Sequence, residues 1–161
     1  MKTAAAAFSI AVTVLFASTV ASAQTATQTV TYAVSAINQI AITGTPSLSI
    51  TTATAGSAPT QVTDATASWA VTTNQTNAKI SASIPTGMPT GLTLSVSLAA
   101  PSGATSAGST TLGTTAVDLV TTITKLAQTG LTATYHLDAT AAAGVVSSAT
   151  KVVTYTISGG T

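Results

Sequence analysis

From Leu92 to Leu98 the chain alternates without a break: Leu92, Leu94, Val96 and Leu98 are apolar, while Thr93, Ser95 and Ser97 carry hydroxyls. A two-residue period places these sets on opposite faces of an extended backbone, whereas a helix would scatter both around its circumference. The segment is a half-buried strand, and its period recurs along the chain. Val30, Tyr32, Val34 and Ala36 alternate with Thr29, Thr31, Ala33 and Ser35, and Ile40 and Ile42 continue the pattern. After the turn residues Thr43-Gly44-Thr45-Pro46, Leu48 and Ile50 stand between serines. Ala67, Trp69 and Val71 form the next apolar set, then Ile80, Ala82 and Ile84, which ends at Pro85 because proline cannot donate to a ladder. Val117, Leu119 and Ile123 follow, with Asp118 on the other face. Beyond Gly130, Leu131, Ala133, Tyr135 and Leu137 oppose Thr132, Thr134, His136 and Asp138. A last strand over Thr150 to Ser158 turns Val153, Tyr155 and Ile157 inward.

Between these runs lie a Gly- and Pro-containing loop over Thr52 to Asp64, a hairpin or sheet-crossing turn at Thr73-Asn74-Gln75-Thr76-Asn77, a loop from Ala100 to Thr111, and an alanine-rich link from Ala139 to Gly144. Eight or nine short strands and no long amphipathic helix predict an all-β fold, a Greek-key β-sandwich, with a barrel as the alternative. Trp69, in phase with Ala67 and Val71, is expected to fill the centre of an otherwise aliphatic core.

The beginning of the chain has another logic. Lys2 gives a short positive region, Ala4 to Phe16 an apolar run too short for a membrane span, and Ala21-Ser22-Ala23 a small-x-small cleavage site. Residues 1–23 therefore read as a secretory signal peptide, and Gln24 to Thr161 as one exported domain with no membrane segment after cleavage. There is no cysteine, so packing alone must stabilise it.

Without Lys2, the charges are Lys79, Lys125, Lys151, Asp64, Asp118 and Asp138, which cancel. Ordinary domains carry about a quarter charged residues, and near-zero net charge favours association. The lack of a basic patch argues against nucleic acid as a partner, and the scarcity of charge argues against electrostatic membrane binding. Such a surface suits a chain covered by copies of itself or by surface glycans.

The inventory for catalysis is nearly empty: one histidine, three aspartates, no cysteine and no glutamate. His136 and Asp138 share a strand face, where the carboxylate would orient the imidazole, but no nucleophile motif accompanies them. The expectation is that the protein is not an enzyme and needs no cofactor. The three aspartates lie in separate segments and offer no calcium loop, so no metal site is predicted. Asn74-Gln75-Thr76 is a formal glycosylation sequon. Lys79 and Lys151 are the candidates for a covalent Lys–Asn or Lys–Asp staple, and Lys151 is read more simply as a charge that discourages wrong pairing of the last strand.

Most of the expected strands lack the lysine, proline or glutamate that natural sheets use to blunt their edges. The N-terminal stretch Gln24 to Ala36, with Val30, Tyr32, Val34 and Ala36 on one face, has the form of a strand donated to a neighbour, as in β-augmentation. The simpler reading takes Val30 to Ala36 as the domain's own first strand, with Gln24 to Gln28 as a free tail. The small-residue loop Ala141-Ala142-Ala143-Gly144-Val145-Val146 leading into Val152-Val153-Thr154-Tyr155-Thr156-Ile157 resembles the end of secreted pilin-like sandwiches, and Gln28 to Gly44 resembles the opening of secreted bacterial proteins of similar composition. The resemblance implies an Ig-like filament subunit, extracellular and at the cell surface, used for adhesion or biofilm and assembled by donor-strand complementation or edge pairing. It carries over no functional residue. Pilins assembled by chaperones usually hold a disulfide, which this chain lacks. A secreted adhesin or carbohydrate-binding module is the second expectation, although it needs an exposed aromatic platform and Trp69, Tyr32, Tyr135 and Tyr155 all read as core positions.

Overall fold

The computed structural model describes residues 22–160, so all but the last two residues of the expected signal peptide lie outside the described part. The chain divides into two units, Met1–Ala33 and Val34–Thr161. In the first, residues 22–33 contain neither helix nor strand and are exposed. Among the described residues no helix is long and apolar enough to cross a membrane.

The second unit is an all-β sandwich of nine strands: β1 (Asn38–Thr43), β2 (Val62–Thr73), β3 (Ala78–Ser83), β4 (Leu92–Leu98), β5 (Thr105–Ser106), β6 (Thr110–Thr111), β7 (Val117–Ile123), β8 (Leu126–Ala139) and β9 (Thr154–Ser158). A five-stranded sheet runs β1-β2-β8-β4-β6 and a four-stranded sheet runs β5-β7-β3-β9, with every pairing antiparallel. The long strands β2 and β8 form the spine of the larger sheet, with register shifts between Asp64 and Ala67 and between Trp69 and Val71. The connection Asn74 to Asn77 carries the chain from one sheet to the other. Asn77 takes a left-handed backbone there (φ 58°), which its short polar side chain tolerates.

The alternating residues read from the sequence become the core. Trp69, Val71, Ile80, Ile84, Val96 and Leu98 are fully buried, and alanines such as Ala78, Ala82 and Ala133 are buried with them. Each fully buried large aliphatic side chain stabilises the fold by about 1.5–3 kcal/mol, which explains how a domain without a disulfide holds together. Trp69 is the central filler as expected, but its Nε1 is buried without a hydrogen-bond partner.

One polar contact crosses the core. The hydroxyls of Tyr135 on β8 and Tyr155 on β9 meet at 2.6 Å. Burial, followed by the hydrogen bond to Tyr135, raises the Tyr155 phenol far above its usual range. In the unfolded chain this phenol ionises near pH 10. Its contribution to stability is therefore present below that pH and is lost as the pH rises further toward the folded value. The variant Tyr155→Phe leaves the Tyr135 hydroxyl unpaired and is expected to cost about 1–2 kcal/mol at neutral pH. It should also show a shallower loss of stability above pH 10, read from urea midpoints across the alkaline range.

Asp64 pins the exit of β1 to the bulge of β2. Its Oδ1 accepts from the Thr66 amide (2.8 Å) and hydroxyl (2.6 Å), and its Oδ2 accepts from the Ser47 amide (2.8 Å). The Thr66 hydroxyl, then the Ser47 and Thr66 amides, hold the carboxyl below its usual range. A depressed carboxylate stabilises the fold above its unfolded pKa, and the contribution fades as the pH falls through the folded value, so the loss lies below about pH 4. Asp64→Asn is expected to flatten this part of the acid profile, measured by thermal melts between pH 2 and pH 6 (roughly the window in which carboxylates titrate). Beside it, Gly44 (φ +99°) brings the backbone so close to β2 that a Cβ would stand 2.9 Å from the Ala67 Cα. Only glycine fits both the angle and the approach.

Four expectations need correction. Val30 to Ala36 forms no strand, and the first ladder begins at Asn38. Leu48 and Ile50 are half-buried but join no sheet, because Pro46 offers no donor and the Ser47 amide is taken by Asp64. The strand after Gly130 instead begins at Leu126 and passes through that glycine at the bulge opposite Trp69 and Val71. The last strand is shorter than expected, starting at Thr154.

Candidate functional site

The two flanks of the sandwich are built differently. On one, the outer strands are β5 and β6, two residues each, and the chain passes directly from one to the other between the sheets. Hydrogen bonds tie this corner down: the Ala107 amide donates to the Leu119 carbonyl (2.8 Å), the Ser106 hydroxyl to the Leu98 carbonyl (2.7 Å), and the Leu112 amide to the Leu94 carbonyl (2.9 Å). Very short edge strands are one way native sheets avoid pairing with other chains.

On the opposite flank the outer strands are β1, of six residues, and β9, of five, adjacent across the sandwich and paired on their inner sides only. No charged residue stands in either strand. Their inward side chains are Ile40 and Ile42 from β1 and Tyr155 and Ile157 from β9, with Val153 just before it. All five pack against the core yet remain only partly buried, unlike their counterparts on the inner strands. The flank is thus an open seam, with apolar side chains half covered and backbone donors and acceptors on its free edges.

At one end of the seam a clasp of asparagines gathers three chain segments. The Asn74 side chain accepts from the Ile37 amide (2.8 Å) and donates to the Ser35 carbonyl (2.7 Å), while its own amide donates to the Ile37 carbonyl (3.2 Å). Asn38 accepts from the Thr73 hydroxyl (2.7 Å). Gly159 lies against the Asn38 side chain, where a Cβ would come within 2.6 Å of Nδ2, and Gly160 lies against the Thr76 carbonyl. The chain leaving β9 therefore bridges across to β1. No family model, curated protein or solved structure matches this chain. The site must be read from its own geometry.

Of the four expected donor positions, Val30, Tyr32 and Val34 are 73%, 90% and 79% exposed. Ala36 is separated from them by function, since it lies between the two residues held by Asn74. The exposure of Tyr32 departs from its expected place in the core, while Trp69 and Tyr135 are buried and Tyr155 is half-buried against Tyr135. The sequon residue Asn74 donates from its side-chain nitrogen to the Ser35 carbonyl.

The remaining polar candidates have separate partners. His136 Nδ1 meets the Thr63 hydroxyl at 3.1 Å and Asp138 accepts from Gln61 at 2.8 Å, both across the β2–β8 ladder. Ser95 faces His136 on the neighbouring strand, but its hydroxyl contacts Thr111 at 3.3 Å. Lys79 forms an exposed ion pair with Asp118 at 3.0 Å, and Lys151 donates to the Thr86 hydroxyl and the Gly87 carbonyl. A shallow depression of about 330 Å³ beside the clasp, lined by Ile37, Asn74, Lys125 and Leu126 among others, has Lys125 as its only charged residue. Sequence reasoning missed the seam and the clasp. The clasp had a signal in the asparagines of the Asn74–Asn77 turn, whereas the seam depends on which strands become edges.

Proposed function

We propose that the mature chain is a structural subunit of an extracellular filament or surface layer, assembled from copies of itself by strand addition and serving adhesion or biofilm. The observation that carries this reading is the coexistence in one chain of an exposed alternating segment, Val30, Tyr32 and Val34, and an open seam whose inward residues stay half covered. An extended segment adding to a free edge gains main-chain hydrogen bonds along its length and buries every second side chain. Near-zero net charge removes the repulsion that keeps ordinary exported domains apart. The arrangement, with one flank closed by the chain and the other open, also supports an Ig-like sandwich lacking one edge strand. The export signal supports an extracellular location.

Electron microscopy of the concentrated mature protein and of producing cells tests the reading. Threads or a regular layer are the expected result. Soluble monomers alone, with bare cell surfaces, would contradict it.

A further inference from the structure

Resting on assembly by strand addition, the geometry points to the polarity of the added strand: we infer that Thr29 to Val34 of one copy lies antiparallel to β9 of the next, and that this makes the contact head-to-tail rather than two-fold. The face pattern sets the register but leaves the direction open. Antiparallel, Val30 falls opposite Ile157, Tyr32 opposite Tyr155 and Val34 opposite Val153, with Thr29, Thr31 and Ala33 outward like Thr154 and Thr156. A shift of two residues either way loses one of the three apolar matches, and a shift of one turns the whole set outward. A parallel strand would match as well, exchanging the partners of Val30 and Val34.

The direction is decided at the two ends of the seam. The N-terminal segment leaves the sandwich at Ser35 to Ile37, held by Asn74 at the end where β1 begins and β9 finishes. That same end is bridged by Gly159 and Gly160, seated against Asn38 and the Thr76 carbonyl. A parallel donor would have to bring its own clasp, and the sandwich attached to it, onto this bridged end. Two clasp ends would then face each other, the self-complementary arrangement that closes a two-fold dimer. An antiparallel donor leaves only its free tail, Gln24 to Gln28, at the bridged end. Its sandwich sits at the far end of the seam, by Thr43 and Thr154. Each copy then accepts at one end and donates from the other, a heterologous contact that repeats from copy to copy instead of ending at a two-fold dimer. Antiparallel ladders are also slightly more stable per residue than parallel ones.

The absence of cysteine makes the test clean. In the mature full chain, Thr29→Cys is combined either with Ser158→Cys, its antiparallel partner, or with Val152→Cys, its parallel partner, all at outward positions, and the assembled protein is oxidised and run on a non-reducing gel. The expected result is a ladder of cross-linked oligomers from the Thr29/Ser158 pair and at least tenfold less product from the Thr29/Val152 pair. Predominant cross-linking of the Thr29/Val152 pair, ending at dimers, would overturn the polarity while leaving strand addition intact. Threads in which neither pair links would overturn the β9 seam as acceptor. Neither links nor threads would count against the assembly reading itself.

Discussion

Replacing Trp69 by alanine is expected to cost about 3–5 kcal/mol, enough to leave much of the domain unfolded at ambient temperature. Trp69 is 2% exposed at the middle of β2, paired with Ile42 on one side and Leu131 on the other, so truncation opens a cavity where three strands of the larger sheet meet. Its neighbours in the core include several alanines, which have no length to spare for refilling the space. Trp69→Phe separates volume from polarity. The indole nitrogen is buried without a partner, so losing it relieves a penalty of about 1–3 kcal/mol while the smaller ring forfeits part of the packing. The phenylalanine variant should therefore lose less than half of what the alanine variant loses. Urea unfolding of both variants, with unchanged slopes, checks the pair; equal losses would mean that the nitrogen's isolation carries no cost.

The second large effect lies at the other end of the sequence and should leave stability alone. Changing Val30, Tyr32 and Val34 together to serine removes every apolar side chain that the exposed segment would bury in a neighbour. Among the described residues, no hydrophobic side chain before Ile40 belongs to the core or packs against it, so the thermal midpoint of the isolated domain should move by less than about 2 °C, within the usual spread of surface changes. Assembly should fail: three apolar side chains at about 1.5–3 kcal/mol each correspond to a weakening of at least 10³-fold on an order-of-magnitude reckoning. Dynamic light scattering against concentration distinguishes this from a general loss of solubility, since the serine variant should stay monomeric where the parent grows.

Much of this fold is legible in the sequence because the period of two is strong wherever one face is buried. Leu92 to Leu98, Ile80 to Ser83 and Leu131 to Tyr135 all read as strands and are strands, and Trp69 reads as core and is core. Val30 to Ala36 carries the same period but no ladder, because alternation records suitability for a sheet and not which sheet receives it. Leu48 and Ile50 show the converse effect of a local rule: Pro46 and the claim of Asp64 on the Ser47 amide keep an alternating segment out of a ladder. The edges themselves cannot be read from composition. Strands β1 and β9 differ from inner strands only in having one neighbour, and that is a property of topology. The clasp at Asn74 is a similar case, since the letters of the turn do not show that its asparagine bonds Ser35 and Ile37.

Assembly as proposed requires that the exposed N-terminal segment complete the seam of another copy. A chain beginning at Ser35 keeps the clasp and the whole core but lacks the segment, and a synthetic peptide of Gln24 to Val34 can be supplied to it in trans. The measurement is the thermal midpoint of the shortened chain as peptide is added. A ligand that binds only the folded state at a hundred times its dissociation constant stabilises by about 2.7 kcal/mol. The predicted result is a midpoint that climbs by several degrees with peptide concentration, and that does not climb for a peptide with Val30, Tyr32 and Val34 replaced by serine. A midpoint indifferent to the natural peptide at saturating concentrations would contradict the claim.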